Sequence, residues 1–92
     1  MKDDIIRFVL NSRVRDIPIG MYIRFVYDKY IVRIDFDEGS EITVREANWD
    51  SEVTIRNPDL DATVIDIVED AKRLIEKYQA KLKKEGSGET RA

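Results

Sequence analysis

MYIRFVYDKYIVRIDFDEGSEITVREANWDSEVTIR, residues 21–56, alternates apolar and polar side chains with a period of two and is punctuated by clusters of turn residues. Met21, Ile23, Phe25 and Tyr27 alternate with Tyr22, Arg24 and Val26. Val32, Ile34 and Phe36 then alternate with Ile31, Arg33 and Asp35. Ile42 and Val44 stand against Glu41, Thr43 and Arg45, and Val53 and Ile55 against Glu52, Thr54 and Arg56. The pattern predicts four antiparallel strands joined by short loops, each with one face turned to a core.

Loop lengths suggest the registers. A two-residue turn at Asp28-Lys29 pairs Tyr27 with Tyr30, Phe25 with Val32 and Arg24 with Arg33. A three-residue loop Glu38-Gly39-Ser40, with Gly39 at positive φ, sets Arg33 opposite Arg45. In the third hairpin, pairing Val44 with Val53 and Ile42 with Ile55 also brings Arg45 to Glu52 and Glu41 to Arg56, so one register satisfies core and charge together.

These registers give the polar face of the sheet one arginine per strand: Arg24, Arg33, Arg45 and Arg56. Like charges facing each other across strands are destabilising unless acids or a bound anion offset them. The row is therefore the candidate partner-binding surface, with Tyr22 and Ile31 adding flat contact area and Trp49, the only tryptophan, presented by the third turn. The competing reading is a solvated face on which Asp35, Glu41 and Glu52 neutralise the arginines diagonally. Trp49 in that reading folds back over the end of the core, against the start of the last helix.

Outward from the strands, Asp3 and Asp4 precede Ile5, Ile6, Val9 and Leu10, whose spacing puts four apolar side chains on one helical face. A short helix over about residues 3–13 is expected, in competition with a strand through Ile5–Leu10. Arg13–Gly20 reads as a connector. After the strands, Asn57-Pro58-Asp59 opens a helix in which Leu60, Val64, Ile67, Ala71, Leu74 and Tyr78 recur at 4-3-4-3-4 spacing, widened by Ile65, Val68 and Ile75. Acids lead this helix and lysines end it, in accord with the helix dipole. Gly86-Ser87-Gly88 is the expected stop. The fold class is α+β: a short amino-terminal helix, a four-stranded antiparallel meander and a long carboxy-terminal helix on one sheet face, with one domain over 1–85 and a disordered polar tail over 86–92.

A helix over 60–84 is about 37 Å long, whereas six- or seven-residue strands span about 20–24 Å. The overhang leaves Leu74, Tyr78 and Leu82 as candidate dimer contacts, with a two-fold homodimer as one way to cover them.

Composition narrows the function. The 92 residues carry a formal charge of −3, and the last dozen are net basic, so the body is more acidic than the total. An acidic body disfavours indiscriminate nucleic-acid binding. No cysteine and no histidine is present, which removes thiol chemistry and the commonest general base and metal ligand. Asp35, Asp37, Glu38, Gly39, Glu41 and Glu46 approach the spacing of a calcium loop, but the glycine is at position 5 rather than 6 and the flanks alternate like strands. Asp59 and Asp61 are explained by capping better than by acid–base work. Asp66, Glu69, Asp70, Arg73, Glu76 and Lys77 read as an outer helix face, with Glu69 four residues before Arg73. No run approaches the roughly 20 apolar residues of a membrane span.

The expected function is a non-catalytic protein-interaction module, an inhibitor, adaptor or small regulatory protein of the cytoplasm, without cofactor or metal, binding its partner through the arginine-bearing face. The alternatives are a nucleic-acid binder using that face, with Tyr22 stacked on a base, and an acidic mimic of nucleic acid using the last helix.

Overall fold

Alternation in residues 21–56 does build a four-stranded antiparallel sheet. In the computed structural model of the chain, β1 (Tyr22–Tyr27), β2 (Tyr30–Asp35), β3 (Glu41–Glu46) and β4 (Glu52–Arg56) pair in the order β1-β2-β3-β4. Two helices flank them, α1 (Lys2–Asn11) and α2 (Val64–Arg91). The structure describes the backbone of residues 2–37 and 39–91 and the side chains of residues 3–37 and 39–84.

The first and third hairpins have the registers read from the sequence: Arg24 opposes Arg33, and Arg45 and Glu41 oppose Glu52 and Arg56. Asp28 adopts φ 57° in the first turn, a conformation that aspartate tolerates. The second hairpin is shifted by two residues. Arg33 opposes Thr43, not Arg45, and Arg45 opposes Ile31. Phe36 extends the β1–β2 ladder past Asp35: its N–H donates to the Met21 carbonyl at 2.8 Å and its carbonyl accepts from the Gly20 N–H at 2.9 Å. Phe36 is buried, the connection that leads to the Asp35–Glu41 pair is five residues long, and Gly39 does not adopt the positive φ expected of it; Gly20 has it instead, at 96°.

The inner face of the sheet contributes Phe25, Tyr30, Val32, Ile34, Ile42 and Val44 to the core, and α2 crosses β3 and β4 to cover it. Val64, Ile67, Val68, Ala71 and Ile75 are the buried stripe of α2, each large aliphatic side chain contributing about 1.5–3 kcal/mol by leaving water. That stripe is turned from the expected one: Leu60, Leu74 and Tyr78 are exposed. Leu60 lies before the helix altogether. Residues 57–63 form a connector in which the Asp59 carboxylate accepts the Asp61 N–H at 2.9 Å, Asp61 pairs with Arg15, and Thr63 bridges to Arg13. Asp59 thus organises a turn and does not cap α2.

Residues 5–10 form helix, not strand. Val9 and Leu10 are buried and Ile6 partly so, while Ile5 is turned to solvent. Asn11 and Ser12 donate side-chain hydrogen bonds to the carbonyls of Arg7 and Phe8, satisfying acceptors that the end of α1 leaves open. A 3-10 turn at Val14–Asp16 follows, and Val14 and Ile17 join the core. The helical backbone of α2 continues past the expected stop at Gly86; a glycine weakens a helix by about 1 kcal/mol without forbidding it. The disorder expected over 86–92 concerns residues outside the described side chains.

A polar cluster fastens α2 to the end of the sheet nearest the first turn. The Tyr27 hydroxyl donates to Glu69 at 2.9 Å and the Tyr30 hydroxyl to Glu76 at 3.2 Å. Lys72 reaches Glu69 at 3.3 Å and Asp28 at 3.9 Å and lies over both tyrosine rings, 5.1 and 5.3 Å from their centroids. Burial and the charge of Glu76 push the Tyr30 phenol up to about 12, and the bond from Tyr27, helped by Lys72, holds Glu69 below the usual carboxylate range. Glu69 and Glu76 therefore do not belong to a free outer strip, and Arg73 pairs with Asp70, not with Glu69.

Candidate partner-binding face

The period of two that fills the inner face also assembles the outer one. Because α2 packs on the opposite side, Tyr22, Arg24 and Val26 from β1 lie beside Ile31, Arg33 and Asp35 from β2, Glu41, Thr43 and Arg45 from β3, and Glu52, Thr54 and Arg56 from β4. Tyr22, Arg24 and Val26 are exposed along the edge strand.

Arg24, Arg33 and Arg45 converge with Ile31, Thr43 and Glu52 around a depression of about 160 Å³. The register shift sets the shape of this gathering. With Arg45 opposite Ile31, two residues along from Arg33–Thr43, the three arginines form a triangle over three strands and not a straight row. Thr43 is 4% exposed although no helix covers this face, and it is linked to Thr54 by a 3.1 Å hydroxyl contact.

The arginines are thinly satisfied. Among the described residues none of the three forms an ion pair, and Arg24 has no hydrogen bond either. Arg33 donates one long bond, Nη2 to the Thr43 hydroxyl at 3.4 Å, while its Nε is buried with no partner. Arg45 donates from Nη1 to the Trp49 carbonyl at 3.2 Å, although Glu52 stands directly opposite it. A buried donor without a partner costs about 1–3 kcal/mol. The outer face thus carries a local surplus of cationic donors within a protein whose net charge is negative.

Other expected site residues lie apart. Arg56 is paired with Glu41 at 2.9 Å and does not line the depression, nor does Tyr22. Trp49 touches the site only through its carbonyl. Its side chain, 41% exposed, lies beside Gln79 and Leu82, near the later turns of α2 and not its start. The reason is direction: after β4 the chain reverses, α2 runs back along the sheet, and its later turns reach the 47–51 loop. Thr43 was missed as a site residue because nothing but the β2–β3 register brings its hydroxyl to Arg33.

The loop carboxylates are occupied elsewhere. Asp35 accepts the Asp37 N–H at 3.1 Å, Glu41 holds Arg56, and buried Glu46 accepts from Gln79 at 2.9 Å. Among the described residues no group of three or more acidic side chains is placed to hold a metal ion, and no helix is long and apolar enough to cross a membrane.

A second surface lies on the helix side. Leu74, Tyr78 and Leu82 form one exposed row along α2, at 50%, 49% and 37% exposure, flanked by half-buried Val53 and by Trp49. Comparison with protein-family models, curated proteins and solved structures returns no match to this chain.

Proposed function

We propose that the protein is a non-catalytic protein-interaction module, an inhibitor, adaptor or small regulatory protein, whose outer sheet face receives an acidic surface of a protein partner. The observation that carries this reading is the convergence of Arg24, Arg33 and Arg45 with, among the described residues, no carboxylate paired to any of them. Packing alone does not call for it, since uncharged β-formers in those positions would remove an opposed arginine pair and a buried unpaired donor. A partner's carboxylates or other acidic groups would supply the acceptors that the face lacks, and guanidinium groups bind them through paired hydrogen bonds. The chain has no cysteine, in keeping with a reducing compartment, and we take the cytoplasm as its site of action.

The test is a pull-down from lysate of the native host, with and without nuclease, using the wild-type protein and an Arg33→Glu/Arg45→Glu variant. A protein partner that survives nuclease and is lost by the variant is the expected result. Capture that the variant retains refutes the use of this face. Capture abolished by nuclease transfers the face to nucleic acid, with arginines on phosphates and exposed Tyr22 beside them.

The reading includes a homodimer formed through α2. Leu74, Tyr78 and Leu82 would form its apolar seam. Light scattering should give twice the 10.8 kDa chain mass, and Tyr78→Lys should return the monomer. A wild-type monomer throughout the micromolar range refutes the dimer.

A further inference from the structure

The lining of the outer-face depression specifies a ligand more narrowly than "acidic". Among the described residues three guanidinium groups face one carboxylate, Glu52, which leaves two positive charges in one small concavity. Donors are in surplus as well: among the described residues the Arg24 side chain has no hydrogen bond, Arg33 Nε is buried without a partner, and the Thr43 hydroxyl adjoins Arg33 at 3.4 Å. The arginines come from three adjacent strands, so their forks reach the depression from three separate positions on the sheet.

A carboxylate answers this poorly, because it brings one charge and two oxygens in a plane. A phosphodiester also brings a single charge. A phosphate monoester carries close to two negative charges at neutral pH and three terminal oxygens arranged tetrahedrally, one for each of three separate donors. No aromatic ring lines the depression, so a nucleobase would find no stacking surface there.

We propose that Arg24, Arg33 and Arg45 form a seat for a dianionic phosphate monoester, presented by a phosphorylated side chain of the protein partner. This rests on the reading that the outer face receives an acidic protein surface, and it assigns that surface its central group. Arg33 occupies the middle strand of the three, and reorientation of its side chain toward the bound group gives its Nε an acceptor. Arg24 and Arg45 close on the remaining oxygens, and Glu52 holds the net charge of the seat at the value that the dianion matches.

The experiment follows arginine Nε–Hε signals of the full-length ¹⁵N-labelled protein at constant ionic strength. The probes are phenyl phosphate, dimethyl phosphate, acetate, and a pair of Gly-Ser peptides carrying phosphoserine or glutamate. Phenyl phosphate and the phosphoserine peptide should shift the Arg33 Nε–Hε signal saturably, with the other three at least about tenfold weaker. Affinity for both should fall as pH drops from 7.5 to 5 and the ester takes up its second proton, near pH 6. Arg33→Lys, which keeps the charge and loses the fork, should weaken binding by about tenfold without lowering the urea midpoint. Equal binding of phosphoserine and glutamate peptides overturns the phosphate seat and leaves the acidic-partner reading standing. Binding of phenyl phosphate without the phosphoserine peptide overturns the protein source of the group. Binding of no probe overturns both the seat and the reading beneath it.

Discussion

Replacing Arg33 by methionine should make the protein more stable. Methionine keeps an unbranched stem of similar length over Ile31 and Thr43 while removing the charge that stands directly opposite Arg24. Relief of that cross-strand repulsion is worth about 0.2–1 kcal/mol. Removing the buried, unpartnered Nε saves about 1–3 kcal/mol, and loss of the 3.4 Å bond to Thr43, at the limit of hydrogen-bonding distance, returns less than about 1 kcal/mol. The balance is a gain of about 1–2 kcal/mol. For a domain of this size, each 1 kcal/mol moves Tm by about 4–8 °C, and at a urea m-value of about 1 kcal/mol/M the midpoint should rise by about 1–2 M. Urea titrations of both proteins by far-ultraviolet circular dichroism measure the difference directly. An unchanged or lower midpoint at equal m-value would mean that the Arg33 guanidinium is already satisfied in the folded protein, and the argument for a donor surplus would go with it. A gain in stability accompanied by loss of partner binding would identify Arg33 as a residue whose cost is tolerated for function.

Three further outcomes follow from the fold. The Tyr30 phenol is raised in the folded protein from an ordinary value of 10 to about 12, so its contribution is complete below pH 10 and is lost as pH rises toward 12, by up to about 3 kcal/mol. The stability difference between wild type and Tyr30→Phe should therefore shift in favour of the variant from pH 9 to pH 12, and a pH-independent difference in urea midpoints would refute this. Lys72→Met removes the ammonium shared by Glu69, Asp28 and two tyrosine rings, and should cost about 1–2 kcal/mol in the same assay; a neutral result would mean that the cluster does not fasten α2. Gly20→Ala should cost about 1 kcal/mol from its φ of 96° alone, because an added Cβ meets no atom within 4 Å, whereas Gly39→Ala should be close to neutral. Equal thermal shifts for the two glycine variants would show that backbone conformation is not what separates them.

The sequence by itself determined the strands, their faces and the residues able to form the site. Alternation with period two is a local property, so it assigned Arg24, Arg33 and Arg45 to the outer face and Phe25, Val32 and Val44 to the core without any knowledge of pairing. It also settled two of three registers, where a tight turn or a combined match of apolar and charged pairs left one solution. Only the tertiary structure decided the rest. A slip of two residues between β2 and β3 preserves every face, so periodicity cannot detect it, and only the paired strands show that Asp35 meets Glu41 across a five-residue connection. The same is true of the rotation of α2 that leaves Leu74 and Tyr78 outside the core, of Trp49 beside the later turns of that helix, and of Glu69 and Glu76 under the two tyrosines. Each depends on which surfaces meet once loops have closed, and the free energy of that choice resides in contacts between segments, which no local pattern of side chains encodes.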